Sequence, residues 1–205
     1  MKTFENRELQ STEHRSHPWT TTTDGEPNRY YDLRARPDLI PTVLEDFRPF
    51  AAHGAVQTFY ALLTWLNGAQ SPFESNDCAF TGPEANDDDA FAKRLRCSGR
   101  LGLLFRDLPL NTREGEVTRL IRGIHVQLSD LEPDLVSGAV GTTRLSVDYL
   151  ALPAGASAGA QVLISFWAWG DDEPEVFAHL DRVFAALHDA LLRVGRGTTR
   201  WRAAS

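Results

Sequence analysis

Cysteine, methionine and lysine are nearly missing from this chain of 205 residues, which holds two cysteines, one methionine and, as lysines, only Lys2 and Lys93. Two cysteines, Cys78 and Cys97, are too few for a disulfide framework, and a reducing cytoplasm is the expected compartment. The six histidines form no His-x-x-x-His pair and the cysteines no Cys-x-x-Cys, so neither zinc nor any other metal or cofactor is expected. No apolar run approaches the roughly 20 residues that cross a bilayer, and Met1–Glu8 lacks the apolar stretch of a secretory signal. No membrane association is expected. Gly-rich phosphate loops, Gly-x-Ser-x-Gly elbows and dinucleotide fingerprints are also missing, which removes the motifs that most directly announce an enzyme.

The charge balance adds one exclusion. A net charge of −7 argues against a nucleic-acid surface, because phosphate binding needs concentrated Lys and Arg. Of the 21 basic residues 19 are arginines, a skew typical of translation from a GC-rich bacterial genome. The hydrophobic share of 42% and charged share of 24% are those of a globular domain rather than of a disordered chain.

What the chain does hold is a well-punctuated run from about Arg100 to Arg196. Arg100–Asp107 is short and mostly apolar, as a strand would be. A helix follows, with Asn111 and Glu114 spaced as a capping box and an apolar stripe of Val117, Leu120, Ile121, Ile124 and Leu128. Thr142–Leu152 alternates, with Leu145, Val147 and Tyr149 on one face and Arg144, Ser146 and Asp148 on the other. After a Gly-containing turn, Gln161–Trp169 is apolar on both faces, and the pair reads as an antiparallel hairpin. The last helix starts at Asp171, Asp172 and Pro174 and carries the stripe Val176, Leu180, Val183, Phe184, Leu187, Leu191 and Val194. Arg193 and Arg196 match its dipole, and Gly195 and Gly197 end it.

Strand–helix–strand–strand–helix predicts an α+β fold, an antiparallel sheet with helices on one face. This is a ferredoxin-like variant in which Thr198–Trp201 or a strand near Cys78–Thr81 completes the sheet. Two helices, at Ile40–Phe50 and Ala52–Leu66, are expected to precede the run. Residues 1–37 read as a polar, partly disordered arm anchored by Trp19, Tyr30 and Tyr31. Residues 38–205 read as one domain, interrupted by a long polar loop at 69–99.

Candidate chemistry is sparse. Cys78 is the one nucleophile with suggestive neighbours, needing His53 or His125 and an orienting Asn76 or Asp77 beside it; a buried, inert thiol is the plainer reading. Glu84, Asp87, Asp88 and Asp89 lack the register of a calcium loop and read as a solvated acidic turn, or as a surface for a basic partner. Trp167 and Trp169 share a strand face and either pack under a helix or, with Arg106 and Tyr149, floor a ligand pocket. The expected function is therefore a non-catalytic bacterial binding protein of the immunity or accessory-factor type, engaging a basic protein partner. The alternative is a small enzyme or small-molecule-binding protein with a pocket between sheet and helices, and a homo-oligomer paired through its sheets remains open.

Overall fold

The computed structural model describes the chain outside residues 7, 17–19, 24–25, 30, 88–90, 151, 153–154 and 198–205, and for 11–16, 20–23 and 26–29 the backbone alone. Thr198–Trp201, Trp19, Tyr30, Asp88 and Asp89 therefore lie outside the described residues or side chains.

The central run forms as expected in type and order. It comprises β6 (Leu95–Phe105), α3 (Glu114–Leu131), β7 (Gly138–Tyr149), β8 (Ser157–Gly170) and α4 (Glu173–Gly197). Strand β8 pairs antiparallel with both β6 and β7, so β6 and β7 run parallel on either side of it. Before this run come α1 (Ile40–Val43), α2 (Gly54–Asn67) and a long strand, β5 (Phe73–Ala85), antiparallel to β6. Strand β5 occupies much of the segment read as a loop, and it takes the outer place beside β6.

The sheet itself is a correction. It is mixed rather than antiparallel, and it does not begin after two helices. Four strands precede the helices: β1 (Lys2–Glu5), β2 (Leu9–Ser16), β3 (Thr20–Thr23) and β4 (Glu26–Arg29). Strands β1 and β2 pair in parallel with β7, at Ala139–Thr142 and Leu145–Tyr149, so the arm runs along the outer edge of β7 as one interrupted strand. Strands β3 and β4 extend the sheet antiparallel, giving the order β4-β3-β2-β7-β8-β6-β5. These N-terminal strands carry polar sequence because the ladder recruits backbone N–H and C=O groups, which every residue but proline supplies. Asn6 shows the principle: its amide donates to Thr142 O at 2.8 Å and its side chain to Thr143 Oγ1 at 3.0 Å.

Helices α2, α3 and α4 cover one face. The predicted stripe of α4 is buried throughout, and Asp172 caps the helix by accepting the Glu175 amide at 2.9 Å. Asn111 does not cap α3. Its side chain instead brackets Phe105, accepting the Phe105 amide and donating to the Phe105 carbonyl, each at 2.9 Å. Phe59 of α2, Phe166 of β8 and Phe184 of α4 meet with centroids 4.6–5.8 Å apart and fill the space between helices and sheet.

The register also reverses an expectation about β7. Val140 pairs with Phe166, which faces the helices, so Val147 and Tyr149 point to the opposite, open face. They are buried there in a satellite cluster with Leu104, at the end of the sheet that the 3-10 turn Leu108–Thr112 closes. Arg144, expected to be solvated, faces the helices and donates to Glu114 of α3 at 3.0 Å. Trp167 and Trp169 likewise lie on the open face rather than under a helix. Phe4 of β1 covers Trp167 at 5.4 Å, and Phe91 stacks on Trp169 at 3.9 Å.

Candidate functional site

The residues singled out in the sequence are dispersed by the fold. Arg106 follows β6 and donates to Gly68 O at 2.7 Å, satisfying a carbonyl left over at the end of α2. Tyr149 pairs with Ser157, ten positions along β8 from Trp167, a separation of roughly 33 Å at strand rise. Tyr149 donates its hydroxyl to Ala160 O at 3.2 Å. These four residues do not converge on one cavity. Glu84 accepts from Arg96 Nη2 at 2.6 Å, which neutralises part of the acidic cluster, while Asp87 is exposed.

Cys78 is half-buried, and burial, reinforced by the neighbouring Asp77, pushes its thiol well above the ordinary range. Burial pushes Cys97 up to about 12. Both are thus held as thiols near neutral pH, the inert state. The partners a nucleophile would need are committed elsewhere. His53 bonds Glu173 Oε1 at 3.0 Å and stacks on Phe177, and His125 bonds Thr142 Oγ1 at 2.7 Å. Asn76 donates to Gln161 at 2.8 Å, and Asp77 accepts from Arg100 at 3.0 Å. Among the described residues no three His, Cys, Asp or Glu side chains are grouped to hold a metal ion.

What Cys78 does belong to is a groove. The chain from Asp32 to Phe50 crosses the outer edge of β5, held by a turn and a series of apolar anchors. Asp32 Oδ1 accepts the Arg34 and Ala35 amides, both at 3.0 Å, a side-chain turn that aims Leu33 inward. Leu33, Ile40, Leu44 and Phe47 are buried, and Phe47 stacks between Phe59 at 4.6 Å and Phe80 at 4.7 Å. Between these anchors two adjoining depressions of about 170 and 570 Å³ open onto β5 at Ser75–Cys78. They share Tyr31, Val43, Leu44 and Cys78.

Two outward amides of β5 are already taken, Ser75 N–H by Asn67 Oδ1 at 3.2 Å and Phe80 N–H by Asp46 Oδ2 at 3.5 Å. The alternation of strand hydrogen bonds turns the Cys78 amide to the same outer edge as that of Phe80, into the groove. The walls are apolar (Leu39, Val43, Leu44, and Tyr31, which is 52% exposed), and the rim is acidic through Glu45 and Asp46, while Asp77 is neutralised by Arg100.

Behind the groove, on the open face, Glu74 is 1% exposed. Arg34 Nη1 lies 3.5 Å and Arg106 Nε 4.0 Å from its carboxylate, too far for a strong hydrogen bond from either. Burial dominates over both arginines and raises its pKa to about 7. Arg34 belongs to the turn that carries Leu33, so this carboxyl is tied to one wall of the groove.

Sequence reasoning missed the groove because β5 hides its period. Bulges between Ser75 and Asp77 and between Thr81 and Glu84 reset the alternation twice in thirteen residues. The available signal was the pair Phe73 and Phe80, which both pack into the core. Comparison with protein-family models, with curated proteins and with solved structures gives no match.

Proposed function

We propose that this chain is a non-catalytic binding protein that accommodates an extended, basic and apolar segment of a partner protein in the groove between β5 and residues 31–47. The observation that carries this reading is a groove along the outermost strand of the sheet, with apolar walls and the acidic rim Glu45 and Asp46. A strand edge supplies backbone hydrogen bonds to an extended chain, and pockets beside it sort the alternate side chains. An acidic rim on a chain of net charge −7 favours basic partners and speeds their encounter. The aromatic filling between sheet and helices also supports binding on the outside of the fold rather than between its layers.

The test is selection of random short peptides displayed on phage, against the wild type and against Val43→Trp, which fills the groove, and Glu45→Arg, which reverses its rim. Enriched peptides should combine Lys or Arg with apolar side chains, and both variants should lose them. Enrichment that survives both substitutions, or no enrichment at all, overturns the proposal.

A further inference from the structure

A second groove lies on the far side of the helical layer, and its chemistry is the reverse of the first. Helix α4 packs against both α2 and α3, so α3 forms the border of the layer. Along α3, Arg119, Arg122, Gly123, Val126 and Gln127 recur at the three- and four-residue spacing of a single helix face. With Arg193, Val194 and Gly197 of α4 they enclose a groove of about 330 Å³. Gly123 makes its floor, since a side chain there would meet Val194 at 3.2 Å, and Val126 is 53% exposed at its edge.

The charge on this groove is not accounted for by the fold. Arg193 sits where the α4 dipole favours a cation, but Arg119 and Arg122 lie in the middle of α3, where the dipole gives them nothing. Arg119 is paired with Glu116 at 2.6 Å. Arg122 and Arg193 have no ion-pair partner among the described residues. Like charges gathered around an apolar floor repel one another and oppose folding. The last two turns of α4 deepen the asymmetry: after Asp189 the helix carries Arg193 and Arg196 and no acidic residue. A concentrated positive patch on a chain of net charge −7 is a feature that a partner of opposite charge would use.

We propose that the α3–α4 groove docks an acidic amphipathic helix of a partner protein. Such a helix would lie along the border of the layer, inserting apolar side chains at i, i+3, i+4 and i+7 over Gly123, Val126 and Val194. Asp and Glu flanking that stripe would meet the guanidinium groups of Arg119, Arg122 and Arg193, whose planar forks suit carboxylates. The site is separate from the β5 groove, and either can fail without the other.

The experiment selects from a library of helical peptides with one randomised face, displayed on a fixed helical scaffold, against the full chain. The R122Q/R193Q double variant and Val126→Asp serve as comparisons, with melting curves confirming that these exposed positions leave the fold intact. The expected result is enrichment of faces combining Leu, Ile or Val with Asp or Glu, and at least about tenfold weaker binding by each variant, with the loss growing as salt falls. Selection of basic faces, no enrichment, or binding unchanged in the variants overturns the proposal. So does R122- and R193-dependent binding to phosphatidylserine vesicles without helix selection, which would assign the patch to a lipid surface.

Discussion

Replacing Glu74 with glutamine should make the protein more stable, and increasingly so as pH rises. In the folded chain the carboxyl is buried at 1% exposure and its pKa is raised from 4.5 to about 7, chiefly by desolvation and against the attraction of Arg34 and Arg106. A carboxyl whose folded pKa lies above its unfolded value contributes fully to stability below about 4.5 and loses that contribution as pH climbs through about 7. The shift corresponds to about 3 kcal/mol once both states are ionised. Glutamine keeps the shape and the neutral form at every pH. The variant should thus match the wild type near about pH 4 and exceed it by about 3 kcal/mol near about pH 8, or several degrees in melting temperature. Urea unfolding followed by tryptophan fluorescence at the two pH values measures this, and subtracting wild type from variant cancels the histidines and other titrating groups. If Glu74→Gln is instead less stable near about pH 8, the ion pairs with Arg34 and Arg106 outweigh desolvation, and the reasoning is wrong.

Other outcomes follow from named contacts. Leu187→Ala removes a fully buried side chain from α4 and should cost about 2–5 kcal/mol, read as a lower melting temperature or insoluble protein. Deleting residues 1–5 should also destabilise the protein measurably, because β1 pairs with β7, Met1 packs on the core and Phe4 covers Trp167. A melting temperature unchanged by the deletion would refute this and favour the partly disordered arm expected from the sequence. Gly99→Ala should destabilise by about 1–3 kcal/mol, since its Cβ would lie 2.4 Å from Ala79 O and 2.5 Å from Phe166, whereas Gly54→Ala meets no atom within 4 Å and should be neutral or slightly stabilising in the same melting assay. Finally, a thiol reagent near neutral pH should label the buried Cys97 only after unfolding, and Cys78, half-buried in the groove wall, more slowly in the native protein than in the unfolded chain, because burial pushes both thiols upward; native labelling of Cys78 as fast as in the unfolded chain would contradict its environment.

The sequence alone determined the elements whose signals are local and periodic. The stripe of α4, its acidic start and its arginine end reappear intact, and so do α3 and the β7–β8 pair, because a helix or strand writes its burial into residue spacing. Which face of β7 and β8 meets the helices was not local. Alternation identifies two faces without saying which is covered, and Val147, Tyr149, Trp167 and Trp169 proved to lie on the side away from the helices. The mixed sheet was hidden for another reason: β1 and β2 join β7 through backbone groups that leave no mark in side-chain pattern, across more than a hundred residues of intervening chain. The β5 groove required both kinds of information. Its strand is disguised by bulges, and its walls come from Tyr31, Leu33, Val43 and Leu44, residues that only the closure of the turn at Asp32 and the anchoring of Phe47 bring against Cys78.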